Sequence, residues 1–261
     1  MNSDTAIATD VRRSPVRGLL QIVRFNWPQY VAGIAAVAAA MLLTVALPLP
    51  PVARWIVLGG TAAAAWWLIA SLAASYWIYD LSPLSQWIWI EQYIPNKSAA
   101  PVVFNIHSGF DDTTTLLRAV LSGARVQALD LYDPRRMTEP SIHRARRALP
   151  PVAGTLPAAP GELPAAGESA DAALLLLAAH ELRNAADREA LFRELRRVLK
   201  PGGRLVLVEH ARDGWNFLAF GPGFLHFLPY GEWQRLARAE NLRTVHEGRI
   251  TPFVRLLVLE K

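Results

Sequence analysis

Histidine and glutamate fall side by side at two places where an apolar run ends. His180 and Glu181 follow "ADAALLLLA", and Glu209 and His210 close "RLVLVEH". A further histidine, His226, lies in the aromatic stretch "GPGFLHFLPYGEW". Imidazole exchanges a proton near neutral pH more readily than any other side chain, so each of the three is a candidate base. A structural or surface role remains an equal reading for any one of them. A second group lies upstream, in "NIHSGFDDTT" (105–114), between the apolar run "PVVF" and the helix-like "LLRAVLSG". A strand, a turn and a helix are the setting of a nucleotide-binding loop, but this one holds a single glycine, Gly109. Dinucleotide-type folds place a carboxylate at the end of the second strand, roughly 20 residues beyond the glycines, to accept ribose hydroxyls. Asp130 ends "RVQALD" at about that distance from Gly109, with Asp133 as the fallback. Either carboxylate could instead cap a turn before Pro134.

The elements that must position these residues follow from the pattern after Ser98. Strands are expected at "PVVFNI", "ARVQALDLY", "ADAALLLLA" and "RLVLVEH". Helices are expected at "DTTTLLRAVLSG", "EPSIHRARRAL", "DREALFRELRRVL" and "YGEWQRLARAEN". The stretch 150–170, rich in Pro, Ala and Gly, is read as loop with at most a short strand. Alternating strands and helices imply an open, mostly parallel sheet with helices on both faces. The last two strand-like runs, "RTVHEGRI" and "VRLLVLEK", are separated by "TPF". That link is too short for a crossover, so the two should pair antiparallel.

The ordered set resembles class I S-adenosylmethionine-dependent methyltransferases. "RELRRVLKPGGRLVLVEH" looks like the helix, "LKPGG" turn and fifth strand of that family. "ESADAALLLLAAHEL" resembles its fourth strand and exit, "PGELP" the loop after its third strand, and the final hairpin its closing pair. The resemblance covers about 100–261. It implies an α/β, Rossmann-like, mostly parallel seven-stranded sheet with a C-terminal antiparallel hairpin, and S-adenosyl-L-methionine as cofactor. Carried over, Asn105 stands at the acidic position of the first motif, and His107, Gly109 and Asp111 at its three glycines. Asn105, His107, Gly109, Phe110, Asp130 and Glu162 are then the expected cofactor-binding residues, with Glu162 near adenine. His107 has a side chain where the family has none. It could occlude the pocket or contact the ligands.

The N-terminal part has a different character. The chain has 261 residues, 52% of them hydrophobic, nine Trp and no Cys. Its mean hydropathy is positive. Absence of Cys excludes disulfides, thiolate metal sites and cysteine nucleophiles, and no metal is expected. Charged residues are missing from Phe25 to Ala53 and from Trp55 to Tyr79. Each run exceeds the roughly 20 residues that cross a bilayer core. We expect two transmembrane helices at about 30–48 and 54–78, turned by "PLPPVAR". The domains are then 1–29, a cytoplasmic N-terminal segment; 30–80, the two-helix transmembrane hairpin; 81–98, an interfacial aromatic linker; and 99–261, the methyltransferase-like domain. The linker either lies along the membrane interface or straps the domain. Arg12, Arg13, Arg17 and Arg24 precede the first helix, against Arg54 alone in the turn. The positive-inside rule puts the N-terminus and the catalytic domain in the cytoplasm, here of a bacterial inner membrane.

The basic stretch "DPRRMTEPSIHRARR" is either a solvated helix face or a reader of anionic headgroups. Nucleic-acid binding fits poorly, because the net charge of +5 is not spread as a basic, aromatic stripe. The reading is a membrane-anchored methyltransferase. Its partners would be a lipophilic small-molecule substrate (a lipid, a quinone or polyprenyl species, or a hydrophobic metabolite) and membrane lipid. The small-residue-rich helices could also pair protomers as a homo-oligomer. The alternative is a catalytically inactive methyltransferase-like scaffold in a membrane complex. A nicotinamide-dependent oxidoreductase fits less well, with one glycine left and an antiparallel closing hairpin.

Overall fold

A computed structural model of the chain describes residues 15–95 and 99–261. Arg12 and Arg13, two of the orienting cations, and residues 96–98 of the linker lie outside these.

Two long antiparallel helices come first, α1 (Arg17–Ala46) and α2 (Pro51–Tyr76). Both are long and apolar enough to cross a membrane. Their large side chains face outward: Val31, Ile34, Leu42, Val52, Trp55 and Ile69 are all more than half exposed. No polar face of the kind that marks a surface helix of a soluble protein separates them from solvent. The helices pack through small residues, with Gly33 against Leu68. α1 starts well before the expected 30, so Arg17 and Arg24 lie inside it. Charge misplaced that boundary, because the first turns of α1 rest on the globular part rather than in an apolar medium. Arg144 Nε donates to the Phe25 carbonyl at 2.6 Å, and Phe25 is buried. The helical dihedrals break at Asn26, two residues before Pro28. α2 begins at Pro51 rather than 54, since proline suits the first helical position, where no N–H bond is needed.

The hairpin is closed at its base by one carboxylate. Asp80 accepts from the backbone N–H of Gly18 at 2.7 Å and of Leu19 at 2.8 Å. It satisfies two of the free donors at the start of α1 from a residue beyond the end of α2, and its charge suits the positive helix end. A single π-type turn (Trp77–Leu81) and two short 3₁₀ segments (Pro83–Ser85, Ile88–Tyr93) then run across the sheet. Ile78, Leu84, Trp87 and Ile90 are buried there against strand residues such as Val103, Leu174 and Val206. These residues of the linker are packed on the sheet as a strap.

The globular part is the anticipated α/β sheet. Its strands are β1 (Val102–His107), β2 (Arg125–Asp130), β3 (Leu156–Pro157), β4 (Ala170–Leu176), β5 (Leu199–His210), β6 (Arg243–Thr251) and β7 (Val254–Glu260). They lie in the order β3-β2-β1-β4-β5-β7-β6. β7 is antiparallel to both of its neighbours, and toward β6 the short link requires it. The helices are α3 (Thr114–Val120), α4 (Pro140–Ala148), α5 (Ala185–Val198), α6 (Gly214–Phe220) and α7 (Tyr230–Ala239). On one face Ile142 of α4, Phe192 and Leu195 of α5, and Trp233 and Leu236 of α7 pack on the sheet. On the other face Leu117 of α3, Ala219 of α6 and the strap do so. β4, buried along its whole length, is the central strand its apolar run implied.

The "KPGG" turn is a bulge within β5 rather than a break before it. Ala170 pairs with Leu199 but Ala172 with Arg204, so β5 carries the extra residues. Gly202 adopts φ +73°, and a Cβ on Gly203 would lie 2.9 Å from the Lys200 carbonyl and 3.1 Å from that of Ala170. Since both obstacles are backbone, Gly203→Ala is expected to cost about 1–3 kcal/mol, read as a lower melting midpoint; an unchanged midpoint would show the bulge to be pliant. Asp80→Ala should fray the start of α1 at a cost of about 1 kcal/mol. Hydrogen exchange of the Gly18 and Leu19 amides would report it, and unchanged protection would deny the cap.

Candidate functional site

The carboxyl ends of β1, β4 and β5 open into a cavity of about 1190 Å³. Its far wall is the hairpin and strap, through residues such as Ile22, Ala64, Trp67, Leu68 and Trp87. Its near wall holds Asn105, His107, Phe110, His180, His210 and His226. Phe25 and Phe110 meet edge to face at 5.6 Å, joining the first loop to α1. The three histidines expected from the sequence therefore line one cavity, together with Asn105 and His107 of the first motif.

Their electrostatics differ. At the exit of β4, Leu177 adopts φ +56°, a strained conformation for a branched side chain. It turns the chain into the short helix Ala179–Glu181. His180 Nδ1 bonds Glu209 at 2.6 Å, and Glu209 also accepts from the Ala179 and His180 amides. Burial pulls the His180 imidazole down, but Glu209 and Glu181 outweigh it, so its pKa rises to about 10. It is held protonated and is no free base. Burial lifts the Glu181 carboxyl, yet its bonds to His180 and His226 hold it well below the usual carboxylate range. His210 goes the other way. Burial, with the nearby charge of His180, lowers it to about 3. Its Nδ1–H donates to the Phe253 carbonyl at 3.1 Å, so Nε2 accepts from the Tyr79 hydroxyl at 3.0 Å. Tyr79 is not among the site residues expected from the sequence. Nothing local marks it, since it belongs to the hairpin and meets the site only through the fold.

The first loop is tightly built. Asn105 Nδ2 donates to the hydroxyls of Thr113 (3.0 Å) and Thr114 (2.7 Å). Asp111, at a family glycine position, accepts from the amides of Thr113 and Thr114 and so starts α3. Gly109 adopts φ +86°, and a Cβ there would strike Tyr132 at 2.6 Å, so this glycine is required. His107 is buried between Asp130 and Asp111, 3.4 and 3.7 Å from their carboxylates. Burial outweighs those charges and lowers its pKa.

Asp130 is where the ribose carboxylate should be, at the end of β2, but it is already engaged. It accepts from Gly109 N and Tyr132 N, each at 3.0 Å, and pairs with Arg146 Nη1 at 2.6 Å. The Arg146 guanidinium also lies 4.3 Å over the Tyr132 ring. Asp130 and Gly109 consequently lie outside the cavity wall. Glu162 is exposed and also lies outside it. Asp133 is turned outward to Arg135. The basic stretch is neither a free face nor an open anion site. Arg136 pairs with Asp187, Arg144 holds α1, and Arg146 holds Asp130.

Tested against S-adenosylmethionine, these residues fit at one end. Asn105 Oδ1, both His107 nitrogens and Asp111 Oδ2 are buried with no hydrogen-bond partner among the described residues. Such groups call for a polar ligand, and an amino-acid moiety with its amine and carboxylate is one. At the ribose end Asp130 becomes free only when Arg146, 30% exposed, swings to solvent. In a cofactor site arranged as the sequence implies, the amino-acid end would lie at Asn105 and His107, and Arg146 rather than His107 would obstruct the ribose end.

Comparison with known proteins bears on the same segment. Residues 109–207 match the family model described as methyltransferase domain. A ubiquinone/menaquinone biosynthesis C-methyltransferase, UbiE, of Syntrophotalea carbinolica is 32% identical over 123 residues, 45% of this chain. The chain spans about half (47%) of that relative's length. Among solved structures, a SAM-dependent methyltransferase from Methanosarcina mazei aligns with TM-score 0.49 at 15% identity, over 66% of this chain and 96% of its own. A geranyl diphosphate C-methyltransferase from Streptomyces coelicolor, in complex with Mg²⁺, geranyl-S-thiolodiphosphate and S-adenosyl-L-homocysteine, aligns with TM-score 0.45 at 14% identity, over 68% of this chain and 75% of its own. Residues 109–207 are thus similar to a methyltransferase domain, and the seven-stranded sheet that contains them has the Rossmann-like α/β order.

Removing the Asp130 carboxylate leaves Arg146 and two amides unpaired. Asp130→Ala should therefore cost about 2–3 kcal/mol of stability and abolish cofactor binding. Arg146→Ala should bind S-adenosylmethionine several-fold more tightly by calorimetry, because the competent state is no longer closed off. Weaker binding in Arg146→Ala would mean that the arginine is part of the cofactor site.

Proposed function

We propose that this chain is a membrane-anchored S-adenosylmethionine-dependent methyltransferase whose acceptor is a lipophilic small molecule. The observation that carries the reading is the shared cavity, walled on one side by two helices apolar enough for a bilayer and on the other by the catalytic edge of the sheet. An acceptor with a long apolar tail and a polar head would lay its tail along Ile22, Ala64 and Leu68. Its head would lie beside His180, Glu181 and His226. The similar ubiquinone/menaquinone biosynthesis C-methyltransferase is named for a substrate of the same lipophilic kind.

Bound S-adenosylmethionine supplies an electrophilic sulfonium methyl. The chain's own residues would hold the acceptor in line with it and keep water out, which can provide much of the rate acceleration. His180 as imidazolium would stabilise negative charge on an acceptor oxygen. The His210–Tyr79 pair would fix the hairpin on the site. The hairpin as bilayer anchor, the division at about residue 99, and a cytoplasmic face for the catalytic domain belong to the same proposal.

A second reading, a catalytically silent scaffold, has one observation in its favour: the Arg146–Asp130–Tyr132 closure of the ribose end. Ligand titration separates the two. Millimolar S-adenosylmethionine or its demethylated product should raise the melting temperature of the detergent-solubilised chain by mass action, and no shift would favour the scaffold. For the enzyme, Ala64→Trp fills the tail region and should lower kcat/KM for a long-tailed acceptor at least tenfold without changing cofactor affinity. Equal turnover in the variant would place the tail elsewhere. Carbonate-washed membranes should retain the chain, and release into the supernatant would refute the anchor.

A further inference from the structure

The sequence reading expected no metal, yet the cavity brings together a ligand set for one. We propose that His180, Glu181 and His226 form a binding site for a divalent transition-metal cation of the Zn²⁺ type. Their ligand atoms lie within 4.8 Å of one another. His180 Nε2 is 3.4 Å from Glu181 Oε1, and His226 Nε2 is 3.6 Å from the same oxygen. Bonds of 2.0–2.1 Å in a tetrahedral site put neighbouring ligand atoms about 3.3–3.4 Å apart. A small inward movement of His226, which is partly exposed, completes that geometry.

The surroundings of the two rings strengthen the case. A metal-binding histidine characteristically turns its other nitrogen to a carboxylate, which fixes the tautomer and the ring. The His180 ring does so, and the His226 ring is placed to do so once Arg183 leaves its Nδ1. His180 Nδ1 donates to Glu209, itself buried and pinned by the amides of Ala179 and His180. His226 Nδ1 faces Glu139 Oε1 at 3.3 Å. Each Nε2 lies toward Glu181, and that of His226 is also 3.1 Å from Arg183 Nη2. The charge also matches. The metal would displace the proton that His180 holds in its absence; with the imidazoles then neutral, three carboxylates and the guanidinium of Arg183 leave a deficit equal to one divalent cation. Arg183 bonds the Glu139 carboxylate and reaches both nitrogens of His226. Cationic charge is thus already drawn to this corner. Arg183 is 38% exposed and can withdraw toward solvent and Glu139 as the metal enters.

Two histidines and one carboxylate leave coordination positions open, the pattern of catalytic rather than structural zinc. All three residues line the cavity wall, so the open positions face the acceptor. The cation would hold an anionic or hydroxyl oxygen of the acceptor's head. That role rests on the methyl-transfer reading; the binding of the metal does not.

The test uses the full chain in detergent micelles, stripped with chelator and titrated with Co²⁺ as a spectroscopic probe and Zn²⁺ by calorimetry. One equivalent should bind, with the intense visible bands of low-symmetry four-coordinate Co²⁺. His226→Ala and Glu181→Ala should each weaken binding at least tenfold. Glu209→Gln, which changes the partner of His180 Nδ1 and leaves all three ligand side chains in place, should weaken it less. His246→Ala, on exposed β6, should leave it unchanged. Absence of stoichiometric binding, or equal affinity in His226→Ala, would overturn the site. His226→Ala removes a partly exposed ring, so its melting curve and its response to S-adenosylmethionine should match the parent and show that the fold is kept. Metal binding without methyl transfer would leave the site standing and count against the enzyme reading.

Discussion

The carboxylate of Asp80 holds this molecule in the form in which it can work. It caps the start of α1 from a position just beyond α2, so both helices end on the same spot of the sheet's carboxyl edge. Neighbouring Tyr79 reaches His210 from that spot. The charged bond is stronger than an ordinary hydrogen bond because the acceptor is ionised and the donors are free helix amides. With the base of the hairpin fixed there, the strap must cross the sheet beside α3, and the space between hairpin and strand ends becomes a bounded cavity rather than an open cleft. The aromatic contacts of Phe25 with Phe110 and of Trp67 with Phe217 extend the same seam to both sides.

Within that cavity two histidines a short distance apart are driven in opposite directions. His180 has two carboxylates and keeps its proton; His210 has a carbonyl, a phenol and apolar rings and loses it. Burial is common to both, so the partner decides the outcome. One low-polarity space thereby offers a cationic and a neutral imidazole at the same pH, a division of labour that identical residues acquire only from their surroundings.

Much of the fold was legible in the sequence. Period and turn residues marked the βα alternation, the buried β4 and the antiparallel end pair, because these depend on near neighbours in the chain. The candidate site was legible in its membership, as with the three histidines, Asn105, His107 and Phe110, but not in its pairing. Arg146 reads as one of five arginines in a basic stretch, and only the fold brings it to Asp130. His180 and His226 meet because β4's exit and the segment after β5 open on one edge, a relation with no local periodicity. The boundary of α1 was misjudged for a related reason. Charge marks where a helix leaves an apolar medium, whereas the first turns of α1 rest on protein.

The hairpin's reach has one more consequence. Trp66 already touches the globular part, through the Leu218 carbonyl. Beyond it, the stretch of α2 back to Pro51 rises only about 24 Å at 1.5 Å per residue, short of the roughly 30 Å of a hydrocarbon core. Seated in a bilayer, such an anchor has no slack, and it would draw Trp215, Phe217, Leu218 and Leu225, all exposed, down to the headgroups. The cavity mouth would then sample the leaflet and not the aqueous phase. Turnover would follow the mole fraction of acceptor among the lipids, and diluting that acceptor with inert lipid would slow the reaction even at constant bulk concentration.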